Sequence, residues 1–247
     1  MSYQPREFWQ DRLSRQFDLR GSGETALSME YNRACYTLRA EVLTQALRDQ
    51  GFDPRGREVL DVGCGTGFFT AYYLERGARV TGIDIAPVSI EALRARHPQA
   101  RFLLVDAGEA PIPLPEEGRY ALVNAMDVLY HITDDTRWET AVTHLAQAVG
   151  DQGLLVLSDA FATMERLAEH NVMRPLARYR ALLNAAGLQL AGLHPTHVLL
   201  NYPLGPFRFL NRVPPLLLAA DRTLLALGLG RGPTHNKIRT ARRVQSG

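Results

Sequence analysis

The sequence predicts an α/β fold: a doubly wound, mostly parallel sheet with helices on both faces. Three observations carry that expectation. Through the middle of the chain, short apolar runs alternate with stretches of helical period, as in a parallel sheet with crossover helices. The first run, Val59, Leu60 and Val62, breaks into Gly63-Cys64-Gly65-Thr66-Gly67 and resumes as a helix-like run from Phe68 to Leu74. Three acidic residues, Asp61, Asp84 and Asp106, fall at or beside the ends of the first three runs. In such sheets the ligand lies outside the carboxyl ends of the strands, near the point where the strand order reverses.

Taken in order, residues 1–50 read as a helical cap. Trp9, Leu13 and Phe17 recur every four residues until Arg20-Gly21-Ser22-Gly23 interrupts them. Ser28 can cap a second helix with Ala34, Leu38, Val42, Leu43 and Ala46 on one side, stopping near Gly51. Residues 51–203 form the core. After the glycine turn, a helix over Phe68–Arg76 ends at Gly77, followed by a strand over Arg79–Ile83 and a helix over Ser89–Arg96 that His97-Pro98 closes. A third strand, Arg101–Val105, leads into a Pro-rich loop, and Tyr120–Asn124 is the fourth. A helix from Thr133 or Asp134 to about Val149, a turn at Asp151-Gln152-Gly153 and a strand over Leu154–Ser158 follow. Pro175–Ala186 is helical and Leu188–Leu200 extended. Residues 204–235 are an insertion of apolar helical segments, and residues 236–247 carry the last strand, Asn236–Val244.

Composition bounds the function. A chain of 247 residues suits one α/β domain with additions. A formal net charge of +2 predicts neither nucleic acid nor an anionic membrane as the main partner. Cys35 and Cys64 make no metal-ligand spacing and read as free thiols in a reducing, cytoplasmic setting. The N-terminal residues lack the apolar stretch of a signal peptide, and no apolar run reaches the ~18 residues of a membrane span. Stable membrane insertion is therefore not expected.

The glycine turn narrows the ligand. Without Cβ atoms, a ligand can lie against bare backbone at a helix N-terminus, where amide N–H groups point outward. Dinucleotide sites usually read G-x-G-x-x-G. Here Gly63, Gly65 and Gly67 bring the third glycine one residue early, with Asp61 just before the turn. A carboxylate there suits a ligand carrying positive charge better than a pyrophosphate.

DVGCGTG resembles motif I of the class I S-adenosylmethionine (SAM)-dependent methyltransferases. The resemblance implies a Rossmann-like, seven-stranded sheet closed by an antiparallel pair, here Leu188–Leu200 and Asn236–Val244. It implies SAM as cofactor and a small-molecule methyl acceptor. Asp84 then chelates ribose hydroxyls, with a helix cap as its alternative, and Ile85 packs on the adenine. Asp106-Ala107 resembles the position that accepts from the adenine amino group; a solvated loop Asp is the alternative. NAMDVLYHITDD, residues 124–135, resembles the fourth-strand motif of ubiquinone-biosynthesis O-methyltransferases. It implies that Met126 lines the site and that His131 faces the acceptor. SMEYNRACYTLRAEV resembles the segment that closes over SAM, with Arg39 (Arg33 competing) for the methionine carboxylate and Tyr31 lining the pocket.

The expected reaction is methyl transfer to an oxygen of a small, partly hydrophobic molecule. His131, and second His170, are candidates to take the hydroxyl proton; positioning the acceptor is the alternative role. His131 with Asp134 and Asp135 lacks a second His, so no metal is expected. N- or C-methylation, SAM binding without catalysis and an NAD-dependent oxidoreductase remain alternatives. The insertion is expected as a lid over the crevice, with a homodimer contact as the main rival and peripheral membrane binding third.

Overall fold

The computed structural model describes residues 3–161, 165–200, 204–232 and 235–243. The boundary at Pro203 and the strand end at Val244 lie outside them. Three helices come first: α1 (Pro5–Arg15), the short α2 (Leu19–Ser22) and α3 (Met29–Asp49). Asp18 caps α2 through the backbone N–H groups of Arg20 and Gly21, and Ser28 caps α3 through that of Tyr31. The alternating core follows as β1 (Glu58–Val62), α4 (Phe68–Leu74), β2 (Arg79–Asp84), α5 (Pro87–Arg96), β3 (Arg101–Leu104) and β4 (Tyr120–Ala125). Then come α6 (Asp135–Ala148), β5 (Val149–Asp159), a hairpin of β6 (Glu165–Ala168) and β7 (Asn171–Met173), α7 (Leu176–Ala185) and β8 (Leu188–Pro195). A 3-10 helix (Gly205–Arg212), α8 (Pro214–Ala226) and β9 (Lys237–Arg243) complete the chain.

The main sheet has seven strands in the order β3-β2-β1-β4-β5-β9-β8. The first five are mutually parallel, and β9 is antiparallel to both β5 and β8. The expected fold class and the antiparallel closing pair are both present. Strand order reverses between β1 and β4, so the crevice opens at their carboxyl ends.

Period-two alternation divides the core. Val59, Leu122, Leu154 and Val156 pack on one face with Leu43 and Leu47 of α3 and Phe69 and Tyr73 of α4. Leu60, Val123, Leu155 and Leu157 pack on the other with Trp138 and Leu145 of α6 and Leu183 of α7. Burial on both faces is why these strands read as unbroken apolar runs.

Three elements differ from the sequence expectation. β5 begins at Val149 and runs through the expected turn, its ladder with β4 shifting register between Tyr120 and Leu122. The β6–β7 hairpin was not expected, because its connection, Glu169-His170, carries none of the usual turn residues. No described residue of the insertion lines the crevice. Leu217 of α8 is buried against Tyr31, Ala34 and Leu38 of α3, and Arg222 donates to Glu41 of α3 at 2.9 Å.

Asp221 anchors this packing. It is fully buried and accepts from the backbone N–H groups of Val198, Leu199 and Leu200 at 3.1, 2.7 and 2.9 Å. Asp221→Ala should lower the unfolding free energy by about 1.5–3 kcal/mol, since buried donors lose a charged acceptor. Arg222→Ala breaks a solvent-exposed pair and should cost no more than ~1 kcal/mol. Urea unfolding of the two variants checks this; equal losses would contradict it.

Candidate functional site

The glycine turn forms the floor of the site. Gly63, Gly65 and Gly67 all have left-handed φ, at +64°, +51° and +88°. A Cβ at Gly63 would lie 2.4 Å from Val128, and one at Gly67 2.5 Å from Leu93. At Gly65 a Cβ would make only ordinary van der Waals contacts, 3.7 Å from the Gly63 carbonyl oxygen and from Ser22 Cβ.

Two buried carboxylates hold the turn. Asp61 accepts from Thr70 Oγ1 at 2.6 Å and from Asn124 Nδ2 at 2.9 Å. Burial pushes its pKa up to about 6, against the pull of those two donors. Asp84 accepts from the backbone N–H groups of Gly65 and Ala86, each at 2.8 Å, and burial raises its pKa also.

Above the turn lies a cavity with about 1080 Å³ of space between protein atoms, part of it open to solvent. Ile85, Val105, Asp106 and Ala107 wall one end; Tyr36, Met126, Asp127 and His131 wall the other. Pro5, Trp9 and Leu13 of α1 close over it. α1 is tied down there, because Gln10 accepts from the Val88 backbone N–H at 3.0 Å and the Tyr3 hydroxyl donates to the His131 carbonyl at 3.3 Å.

His131 lies on a 3-10 turn (Leu129–His131) that follows β4. Its Nδ1 is 2.9 Å from the carbonyl oxygen of His170, which can only accept, so Nδ1 carries the proton and Nε2 the free lone pair. The ring meets Trp9 edge-on at 4.8 Å and Tyr130 at 4.4 Å. Burial lowers its pKa to about 4, so the imidazole is neutral at physiological pH.

A family model described as a methyltransferase domain matches residues 29–197. The chain belongs to that family. A ubiquinone biosynthesis O-methyltransferase of Bordetella parapertussis is 30% identical over 161 residues, 57% of this chain and 64% of that protein. A malonyl-[acyl-carrier protein] O-methyltransferase of Serratia marcescens is 34% identical over 93 residues, 36% of each chain. The chain thus spans less than two thirds of either relative's length. The crystal structure of magnesium protoporphyrin IX methyltransferase from Synechocystis PCC 6803, with bound SAM, has the same fold. Its TM-score is 0.65 at 18% identity, covering 98% of this chain and 99% of that one.

In this methyltransferase domain, Asp61, Gly63, Gly65, Asp84, Ile85, Asp106, Ala107, Met126 and His131 all line the one cavity. Gly67 is not among the lining residues; it shapes the turn, with Leu93 packed against it. The Asp61 carboxylate also supports the turn, its oxygens accepting from Thr70 and Asn124, as those of Asp84 accept from Gly65 and Ala86. Asp106 is likewise engaged, accepting from Arg137 Nη2 at 2.6 Å and from the Gly108 N–H at 2.9 Å. Tyr31 is buried in the cluster with Leu200 and Leu217, away from the cavity. Tyr36 lines the cavity instead, because five residues along a helix turn the side chain by roughly 140°. The His170 ring is not part of the cavity wall. It stacks between Phe8 at 4.9 Å and His131 at 5.6 Å, and its backbone carbonyl is what meets His131. Arg39 sits just behind the wall, its Nε 2.9 Å from Asp127 and its guanidinium 5.4 Å from the Tyr36 ring; Arg33 is exposed.

Asp127 is the residue that sequence reasoning missed. Its φ of +58° is rare outside glycine, and Asp tolerates it better than most. Its N–H donates to Ser158 Oγ at 2.6 Å, and that hydroxyl donates back to its Oδ1 at 2.8 Å. The signal available was an acidic residue immediately after the fourth strand.

His131 and Asp61 give opposite pH dependences. His131 has a folded pKa of about 4 against 6.5, so its contribution to stability is present above 6.5 and lost as pH falls towards about 4. Asp61 has a folded pKa of about 6 against 3.8, so its contribution is present below 3.8 and lost as pH rises through about 6. His131→Phe should therefore flatten the acid-side loss of stability, read by urea unfolding across that pH range. Parallel curves for variant and wild type would contradict a buried neutral imidazole.

Proposed function

We propose that the protein transfers the methyl group of SAM to an oxygen of a small, partly hydrophobic acceptor, releasing S-adenosylhomocysteine. The observation that carries this reading is the Asp84 carboxylate at the end of β2, beside the cavity-lining backbone of Gly65 and an apolar wall of Ile85 and Val105. Those residues fit an adenosine: a carboxylate for the ribose hydroxyls, bare backbone below, and apolar packing for the base. The O-methyltransferase relatives support oxygen as the acceptor atom. Arg39, held by Asp127 beside the far end of the cavity, would pair with the methionine carboxylate.

Bound SAM supplies an electrophilic methyl on a positively charged sulfur. The chain's own residues bind, align and exclude water. Trp9, Leu13 and Pro5 close the cavity from above, and Met126 walls it beside the fourth strand. His131 Nε2, with its lone pair free, would take the acceptor's hydroxyl proton as the oxygen bonds to the methyl carbon. The same neutral ring could instead orient that hydroxyl by accepting its hydrogen bond.

Calorimetry should show micromolar binding of SAM and S-adenosylhomocysteine and poor binding of NAD. Asp84→Ala should weaken SAM by about 1.5–3 kcal/mol. Unchanged SAM affinity in that variant would remove the ribose assignment, and preferential NAD binding would overturn the cofactor.

His131→Gln should lower the methylation rate with little change in SAM affinity. Raising the pH should partly restore the rate if the ring is a base, because solvent then removes the acceptor's proton. Loss without pH rescue assigns His131 to positioning, and an unchanged rate dismisses it.

A further inference from the structure

The insertion leaves an apolar surface that nothing among the described residues covers. Phe207 and Phe209 are each 60% exposed, Leu216 is 61% exposed, and Val213 is exposed beside them. Single exposed apolar residues are common, but here four fall within the ten residues 207–216. Their placement is not an accident of poor packing, because the inner side of the same segment is well anchored. Leu210 packs against the cluster of Tyr31 and Leu217, and Asp221 fastens α8 to the backbone of residues 198–200. The exposed side chains are thus on the outer side of a firmly docked element.

Charge identifies what it faces. Arg208 and Arg212 are exposed among the apolar side chains. Asp221 is the only acidic residue in residues 204–232, and it is fully buried. Within residues 204–232 every exposed charge is therefore an arginine, Arg222 being paired with Glu41 of α3 and Arg208 and Arg212 lying among the exposed apolar side chains.

We propose that the face formed by Phe207, Phe209, Val213 and Leu216, with Arg208 and Arg212, is a reversible docking surface for an anionic lipid bilayer. Phenyl and branched side chains enter the acyl boundary, while the long arginines keep their guanidinium groups at the level of lipid phosphates. Each such arginine is attracted by the negative leaflet. This is adsorption and not insertion, since no described helix is long and apolar enough to cross a membrane. A second copy of the chain is a poorer occupant. A two-fold dimer sets a patch against itself, so Arg208 and Arg212 would approach their own copies with no exposed carboxylate in the segment to pair them.

The test is co-sedimentation of the full chain with vesicles of equimolar phosphatidylcholine and phosphatidylglycerol, beside vesicles of phosphatidylcholine alone. The wild type should pellet with the anionic vesicles, stay in solution with the neutral ones, and be released by high salt. Phe207→Ser with Phe209→Ser should abolish pelleting while leaving SAM affinity and thermal unfolding unchanged, because both rings are exposed. Arg208→Gln and Arg212→Gln should each lower partitioning about fivefold. Wild-type protein that ignores the anionic vesicles would overturn the proposal, as would a double phenylalanine variant that binds them normally. A wild-type dimer by light scattering that becomes monomeric in that variant, without vesicle binding, would assign the surface to a second copy instead.

Discussion

The Asp61 carboxylate joins three elements at the point where the sheet reverses. Thr70 reaches it from α4 and Asn124 from β4, while β1 supplies the carboxylate itself. Tyr73 extends the network by donating to the Asn124 oxygen at 3.1 Å. A buried carboxylate without donors would be costly, so these partners must sit where they do. Their geometry sets where β4 ends, and hence where Met126, Asp127 and His131 emerge. Asp84 does the same on the other side of the turn by holding the Gly65 N–H. The cavity floor is rigid because two carboxylates clamp it from beneath.

The roof is built differently. α1 has few buried residues and closes the cavity through aromatic contacts: Trp9 on His131, and Phe8 on His170. Such an element, held by a few hydrogen bonds and ring contacts, can open at lower cost than a strand of the sheet. Closure by α1 and neutral charge on His131 are linked. Burial of the imidazole beneath α1 is what lowers its pKa.

α3 connects the two functional surfaces. One face carries Tyr36 and Arg39 towards the cavity, and another carries Tyr31, Ala34 and Leu38 into the groove filled by α8. The insertion is therefore attached to a helix that reaches the cavity, while none of its own described residues lines it. It presents its own outer face elsewhere.

The sheet, the turn and the acidic strand ends were legible in the sequence because each is a local matter. Apolar runs buried on both faces, glycines needed for left-handed φ, and a carboxylate closing a strand all leave their mark within a few residues. The motif at residues 124–135 marked the far wall in the same way. What remained illegible depended on contacts between distant segments. Which face of α3 meets the cavity decided between Tyr31 and Tyr36, five residues apart on one helix. The hydrogen bonds at Asp61 and Asp106 were not legible either, since Thr70, Asn124 and Arg137 arrive from other elements. The ring of His170 was drawn into a stack while its carbonyl reached the site. By itself the sequence determined the architecture and the place of the crevice; only the tertiary structure decided which side chains face it, because burial and hydrogen-bond partners are properties of packed elements.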